Sequence, residues 1–121
     1  MKSIAISILL TILSLSTIIK AADASVTATV NRILFHTPPT FGACMIQIEA
    51  DLISNSGINC PDRWLSLSCS GDFNTKDIAY KMLDFANQSL LLGNDMRIYF
   101  TDTKKHNGYC VVYRLDLVQA P

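Results

Sequence analysis

Five stretches of the chain alternate between apolar and polar residues, which is the pattern of β-strands with one buried face. They cover residues 25–35, 44–53, 64–69, 96–101 and 109–118. In the last of them, the alternation predicts inward side chains for Val111, Tyr113, Leu115 and Leu117. Turn-forming or polar residues separate the stretches. The sequence therefore predicts a mainly β protein.

One further stretch has the period of an α-helix. Asn74 suits the N-cap, Asp77 follows three residues later as in a capping box, and Gly93 suits the C′ position that ends a helix. The stripe predicted to pack against the strands consists of Ile78, Met82, Phe85, Ala86 and Leu90.

The resulting order of elements is β-β-β-α-β-β, with the helix between the third and fourth strands. This is the order of the OB fold, a five-stranded Greek-key barrel. We therefore expect an OB-like barrel whose interior is filled by side chains. Other α+β arrangements share this order, and the sequence leaves them open.

Residues 1–24 have the features of a signal peptide. Lys2 is basic, residues 4–19 are apolar and uncharged, and Ala22 and Ala24 fit the small-residue cleavage pattern. A membrane-spanning helix is the alternative, although the run has about the minimum length and is diluted by Ser and Thr. We expect cleavage before Ser25 and one OB domain over residues 25–121. The protein would then be periplasmic or secreted, with no membrane insertion after cleavage.

Residues 25–121 retain four cysteines, and an even number in a small exported domain indicates two disulfides. Zinc is the alternative, but the closest two cysteines are nine residues apart, whereas zinc sites use close pairs. In the predicted barrel, Cys44 and Cys69 face each other across a hairpin. Strands three and five run parallel, which brings Cys60 to Cys110. We predict these two bridges, no bound metal and no cofactor.

Charge argues against a nucleic-acid partner. Residues 25–121 carry eight Lys and Arg against nine Asp and Glu. A nucleic-acid-binding domain needs a basic face to displace counterions from phosphates. We therefore expect no nucleic acid among the partners.

Ser70, in the segment CSGDF of residues 69–73, is the candidate nucleophile. It would need a histidine base, and the chain has only His36 and His106, both in predicted polar turns. No G-x-S-x-G frame surrounds Ser70. The residues that follow Ser70 are instead those of a helix start. We therefore predict that the protein is not an enzyme.

Two consecutive segments, YKMLDFANQSLLLGN (residues 80–94) and DMRIYF (residues 95–100), resemble the helix-to-strand segment of the receptor-binding B subunits of bacterial AB5 toxins. The subtilase-cytotoxin type is the most similar. With LSCSGDF and KKHNGYC, the whole chain is similar to small exported bacterial proteins related to that type. The resemblance to the toxin subunits covers about the last half of the domain. It implies an OB fold, recognition of a cell-surface glycan, a pentamer-like ring and a toxin A subunit as partner.

Two classes of function remain. The first is a glycan-binding module, and the alternative is an envelope protein-interaction or inhibitor module without a sugar site. Exposed aromatic rings beside polar groups favour the first, because sugar rings stack on aromatic faces while their hydroxyls need donors and acceptors. The candidate ligand-binding residues are Tyr99, Arg97, Thr101 and Trp64. Ordinary packing is the alternative role for Trp64.

The predicted helix has a wider apolar arc than packing on one sheet requires. Tyr80, Leu83 and Leu91 extend the arc beyond the predicted stripe. We predict that these three residues form the interface of a homo-oligomer. Coverage of the same face by long loops is the alternative.

Overall fold

The computed structural model describes residues 22–119. The hydrophobic run of the predicted signal peptide lies outside the described residues. The protein is mainly β, with one six-stranded mixed sheet and two helices. The strands are β1 (Asp23–Ala28), β2 (Val30–Phe35), β3 (Cys44–Ile48), β4 (Trp64–Ser66), β5 (Met96–His106) and β6 (Tyr109–Leu117). The helices are α1 (Leu52–Ser56) and α2 (Lys76–Leu92), and a 3₁₀ turn covers Pro39–Phe41. Neither helix has the length and hydropathy to cross a lipid bilayer.

The first predicted strand is divided at Thr29. Its first half, β1, pairs with β5, and its second half, β2, pairs with β3. The strand order is β1-β5-β6-β4-β3-β2, in which β4 and β6 are parallel and all other neighbours are antiparallel. The sequence predicted five strands and the structure has six, because the alternation continues across the point where the backbone changes partner. No ladder between β1 and β2 closes the sheet within residues 22–119.

Helix α1 replaces the end of the second predicted strand. The carboxylate of Asp51 accepts hydrogen bonds from the backbone N–H groups of Ile53 (3.0 Å) and Ser54 (3.2 Å), which caps the helix. Gly57 ends it in the left-handed conformation. A helix of five residues is too short to show a helical period, so the apolar residues of this segment predicted a continuation of the strand.

Strand β5 continues through residues that were predicted to form a polar turn. It ends at His106, and the hairpin to β6 turns at Asn107 and Gly108, both with positive φ. Two such residues in a row are typical of a tight hairpin turn. His106 is therefore buried at a strand end, and its predicted position in a polar turn is wrong.

One face of β5 lies in the core, since Met96, Ile98 and Phe100, which alternate along the strand, are fully buried. On β6 the alternation changes phase. Tyr99 pairs with Arg114 and Phe100 pairs with Val112, so Tyr113 is an extra residue in a β-bulge. Val112 is buried while Tyr113 is 45% exposed. The predictions that Tyr113 and Leu117 face inward are wrong, since both are exposed.

The face of α2 that packs on the sheet agrees only in part with the predicted stripe. Met82 and Ala86 are buried as predicted, together with Ala79 and Ser89, whereas Ile78, Phe85 and Leu90 are exposed. The small alanines form the contact face, so the bulkier apolar residues lie to either side. Ser89 Oγ donates to the carbonyl of Asn94 (2.6 Å) and accepts from the N–H of Val30 (3.1 Å), which ties the helix end to β2.

The termini of α2 agree only in part with the sequence. Gly93 is the left-handed C-cap, as predicted. The N-cap is Thr75, whose hydroxyl accepts from the N–H of Ile78 at 3.3 Å, so the prediction of Asn74 is wrong. Asn74 instead donates through Nδ2 to the carbonyls of Leu67 (2.9 Å) and Val112 (2.8 Å). Its side chain thereby links the loop before α2 to β6.

Two disulfides cross-link the sheet. One joins Cys44 to Cys69 and the other joins Cys60 to Cys110, with Cα–Cα distances of 5.6 and 5.5 Å. These are the pairs that the hairpin and the parallel strands indicate. Disulfides persist in oxidising compartments, so the two bridges agree with the expected periplasmic or secreted location.

Candidate functional site

The four predicted ligand-binding residues lie on two separate surfaces. Arg97, Tyr99 and Thr101 alternate along β5, where they share one face. Trp64 begins β4, and β6 lies between these two strands in the sheet. The structure therefore brings three of the four predicted residues together and places Trp64 elsewhere.

Tyr99 has a covered ring face. Arg114 is its cross-strand partner, and the guanidinium carbon of Arg114 lies 4.6 Å from the centre of the Tyr99 ring. The guanidinium of Arg97 lies 5.8 Å from the same centre. Asp116 holds Arg114 in place by accepting two hydrogen bonds, at 2.8 and 3.0 Å. Tyr99 is half-buried by these neighbours, so its ring supports the surface and does not present a free face.

Tyr113 is the exposed ring beside this cluster. Its ring centre lies 6.3 Å from that of Tyr99, and the bulge turns it outward. It forms one wall of a groove of 360 Å³, here called the Tyr113 groove. The groove is lined by Asp23, Phe73, Asn74, Thr101, Thr103, Lys104, Val111 and Tyr113. Thr101 is the predicted ligand residue that reaches this groove.

The polar groups of the Tyr113 groove include donors and acceptors. Thr101 and Thr103 are hydrogen-bonded to each other through their hydroxyls at 2.8 Å. Lys104 is exposed, and no described carboxylate lies within 4 Å of its ammonium group. Asp23 of β1, the cross-strand partner of Thr101, adds a carboxylate to the groove, but the predicted cleavage before Ser25 would remove this residue from the exported protein. The groove thus combines the two aromatic rings of Phe73 and Tyr113 with hydroxyl, ammonium and carboxylate groups.

The phenol of Tyr113 stays protonated at neutral pH. Desolvation raises its pKa above the ordinary value, the negative charge of Asp23 raises it further, and Arg114 partly opposes the shift. A protonated phenol both donates and accepts a hydrogen bond. Tyr113 therefore offers an apolar ring with a polar end to a ligand in the groove.

The loop that supplies Phe73 to the groove is held by a buried serine and histidine. Ser68 Oγ accepts from the N–H of Phe73 at 3.0 Å and lies 2.9 Å from His106 Nε2. The His106 ring packs against Phe73 with a centroid distance of 4.8 Å. Burial lowers the pKa of His106, and the charge of Asp72 partly opposes this. These contacts fix one wall of the groove from below.

Ser70 does not contact a histidine. Its hydroxyl donates to Asp72 at 2.7 Å, while the ring nitrogen of His36 lies 3.0 Å from the carbonyl of Pro38. Ser68, two residues earlier, is the serine that meets His106, but its side chain is completely buried. The pair therefore has the geometry of a structural contact within the core.

Trp64 lies on the outer face of β2, β3 and β4. Its partner Gln47 pairs in turn with Arg32, so the three residues form a row across the strands. Arg32 reaches over the row, with its guanidinium carbon 5.6 Å from the centre of the Trp64 ring. On one side of Trp64 lies a pocket of 220 Å³, here called the Trp64 pocket. It is lined by Arg32, Leu34, Phe41, Met45, Trp64 and Tyr109.

The predicted interface residues of α2 also differ in their surroundings. Tyr80 stacks on Phe35 of β2 at a centroid distance of 6.2 Å. Leu91 is 74% exposed near the end of the helix. Leu83 is half-buried and packs against the core. Tyr80 and Leu91 are therefore available to a partner, while much of Leu83 belongs to the fold.

Sequence reasoning missed four aromatic residues of the two surfaces, which are Phe73, Tyr113, Phe41 and Tyr109. The alternation along β6 places Tyr113 in the core. The bulge that exposes Tyr113 arises only when β6 pairs with β5, so the sequence of β6 alone does not show it. Phe41 and Tyr109 lie at the ends of the segments that flank the Trp64 pocket, and their edge-to-face contact at 5.7 Å joins residues far apart in the chain. The local sequence carries a signal for neither arrangement.

Among residues 22–119, no group of three or more His, Cys, Asp or Glu side chains has an arrangement that would hold a metal ion. Comparisons with protein-family models, curated proteins and solved structures give no match to this chain.

Proposed function

We propose that this protein is an exported glycan-binding module and that the Tyr113 groove holds the sugar. The observation that carries the proposal is the exposed ring of Tyr113 beside the hydroxyls of Thr101 and Thr103 and the ammonium group of Lys104. The C–H faces of a pyranose ring pack on an aromatic ring, and the sugar hydroxyls need donors and acceptors around that ring. The groove supplies both.

The support beneath the groove favours binding without a large rearrangement. Tyr99, Arg114 and Asp116 form a chain of contacts next to Tyr113, and Asn74 bridges the loop to β6. A site held by its neighbours in this way loses less conformational entropy when a ligand binds. The ordered surroundings of Tyr113 therefore support its role as a stacking platform.

We further propose that the sheet curls into a five-stranded OB barrel, with β1 and β2 as two halves of its first strand. Thr29 alone separates the two strands, although they occupy opposite ends of the strand order. The edges of a flat six-stranded sheet lie about 24 Å apart, whereas two peptide units span about 7 Å. The hydrogen bond from the N–H of Glu49 to the carbonyl of Thr29 (3.2 Å) supports a bend there.

Assembly is the second part of the proposal. Tyr80, Leu91 and other apolar residues of α2 are exposed, and an apolar helix face on an exported domain favours contact with another chain. Together with the resemblance to toxin B subunits, this supports a ring-shaped homo-oligomer, with a toxin A subunit as a further partner. The same face also favours the alternative, an envelope protein-interaction or inhibitor module.

A glycan array with the purified, oxidised protein tests the main proposal. We expect the wild type to retain a defined set of glycans and Tyr113→Ala to lose about ten-fold in affinity. Ile53→Ala is the control, because Ile53 on α1 is an exposed apolar residue (54%) that lies outside both the groove and the proposed interface on α2. Repeated arrays without any retained glycan would favour the interaction module instead.

A further inference from the structure

The Trp64 pocket has walls of aromatic rings and an apolar floor. Phe41 and Tyr109 meet edge to face on one side, and the Trp64 ring forms another. Met45, which is almost fully buried, and Leu34 lie between them. Three aromatic residues from separate segments thus surround a space of 220 Å³ that opens to solvent.

Arg32 is the charged residue at this pocket. Its guanidinium is exposed and stacks over Trp64, and no carboxylate of the described residues lies within 4 Å of it. By contrast, Arg114 on the other surface donates two hydrogen bonds to the carboxylate of Asp116. A guanidinium that lies beside an indole and is bound by no carboxylate has N–H groups free for a bidentate carboxylate.

We propose that the Trp64 pocket is a second binding site, which takes an aromatic side chain of a partner polypeptide that has a carboxylate next to it. The aromatic ring would enter the space between Phe41, Tyr109 and Trp64. The neighbouring carboxylate would pair with Arg32. Aromatic anchors that fill a pocket, with a charged contact at its edge, are the usual centres of protein interfaces.

The lining of this pocket distinguishes its ligand from the sugar proposed for the Tyr113 groove. Leu34, Phe41 and Met45 offer no side-chain donors or acceptors to sugar hydroxyls, and buried hydroxyls without partners weaken binding. On the far side of Trp64, a polar groove of 440 Å³ is lined by Gln47, Asp51, Asp62, Arg63 and Trp64. Such a groove suits the polar backbone of a peptide that continues past its aromatic anchor. The apolar pocket and polar groove together fit a polypeptide segment.

Trp64 itself reports on occupancy, because it is the only tryptophan in the chain. We would titrate the oxidised protein with the peptide Ac-Gly-Phe-Asp-Gly-NH2 and follow tryptophan fluorescence. The matched peptides replace Asp by Asn or Phe by Ala. We expect a saturable change with the Phe-Asp peptide and binding about two- to five-fold weaker with Phe-Asn, which is the range of an exposed ion pair. The Ala-Asp peptide should bind at least about ten-fold more weakly.

Variants separate the two halves of the proposal. Arg32→Gln should bind the Phe-Asp and Phe-Asn peptides equally, and it should fold normally because Arg32 is exposed. Arg97→Gln, an exposed arginine on the other surface, should leave the preference for Asp unchanged. Equal binding of all three peptides by the wild type would overturn the proposal. So would a fluorescence response to methyl glycosides without any response to the peptides.

Discussion

Arg114 and Tyr99 face each other across β5 and β6, with the guanidinium carbon 4.6 Å from the centre of the tyrosine ring. This pair decides which of the two tyrosines presents an uncovered ring to solvent. The cation covers the face of Tyr99, and the adjacent bulge turns Tyr113 toward solvent. Tyr99 therefore supports the Tyr113 groove, and Tyr113 forms its surface.

The first prediction separates these roles by stability. Tyr99→Ala should lower the free energy of unfolding by about 1–2 kcal/mol, because it removes a half-buried ring and its cation–π contacts. Tyr113→Ala should change it by less than about 0.5 kcal/mol, since the ring is exposed. Urea denaturation of the two variants measures both values. Equal losses would show that Tyr113 is a packing residue and would remove it as a stacking platform.

The second prediction concerns the close approach of Gly42 to the buried side chains of Ser66 and His106. A β-carbon at Gly42 would overlap Ser66 Oγ and lie 2.7 Å from His106 Cδ2. Gly42→Ala should therefore lower the free energy of unfolding by about 3 kcal/mol, because the left-handed backbone and the overpacking both destabilise the variant. Gly57→Ala is the matched control, because Gly57 has the same φ of +74° with no atom within 4 Å of a new β-carbon.

Gly57→Ala should cost only the backbone term, about 1 kcal/mol. Thermal or urea unfolding of both variants gives the difference directly. If the two substitutions lower the free energy of unfolding equally, the space around Gly42 is not as tight as the contacts with Ser66 and His106 indicate.

The sequence predicts those parts of the fold that depend on neighbouring residues along one strand. The alternation of β5 identifies Met96, Ile98 and Phe100 as core residues, and all three are buried. The hairpin between β3 and β4 places Cys44 beside Cys69, as the disulfide requires. In both cases the physical cause is local, since successive side chains of a strand point to opposite faces.

The candidate site depends on relationships that no local pattern contains. Tyr113 is exposed because β6 has one residue more than β5 at that point, and a bulge is a property of two strands together. Helix α2 turns Ala79 and Ala86 toward the sheet because small side chains allow close contact, whereas a hydrophobic pattern favours its larger residues. His106 is buried because Ser68 and Phe73 surround it from another segment.

The third prediction uses the buried His106. Its folded-state pKa lies below the ordinary value of 6.5 because burial disfavours the charged ring. The contribution of His106 to the free energy of unfolding should therefore be fully present above about pH 6.5. It should decrease as the pH falls from 6.5 toward the folded-state pKa, because in this range the unfolded chain binds the proton more readily. Urea midpoints between pH 8 and pH 5 measure this slope, and His106→Gln should reduce it.

Asp72 provides a test of the sign. Its charge raises the pKa of His106 and so opposes the effect of burial. Asp72→Asn should lower the folded-state pKa further and make the loss of stability in acid steeper than in the wild type. A shallower slope in this variant would contradict the proposed balance between burial and charge.

The fourth prediction concerns assembly through α2. Leu83 is one of the three interface residues that the sequence predicts, but it packs against the core, so Leu83→Asp would damage folding and assembly together. Leu91 is 74% exposed and gives a cleaner test. If α2 forms the interface, Leu91→Asp should convert the oligomer to a monomer, because a carboxylate buried there would lack a partner.

Light scattering coupled to size-exclusion chromatography measures the mass of each species. Ile53→Asp is the matched control, since Ile53 is an exposed apolar residue on α1 and its substitution should leave assembly unchanged. A circular-dichroism melt of Leu91→Asp should show an intact fold, because the side chain contributes little to the core. If the wild type has monomer mass at micromolar concentration, the ring-shaped assembly is wrong, and the exposed face of α2 has another role.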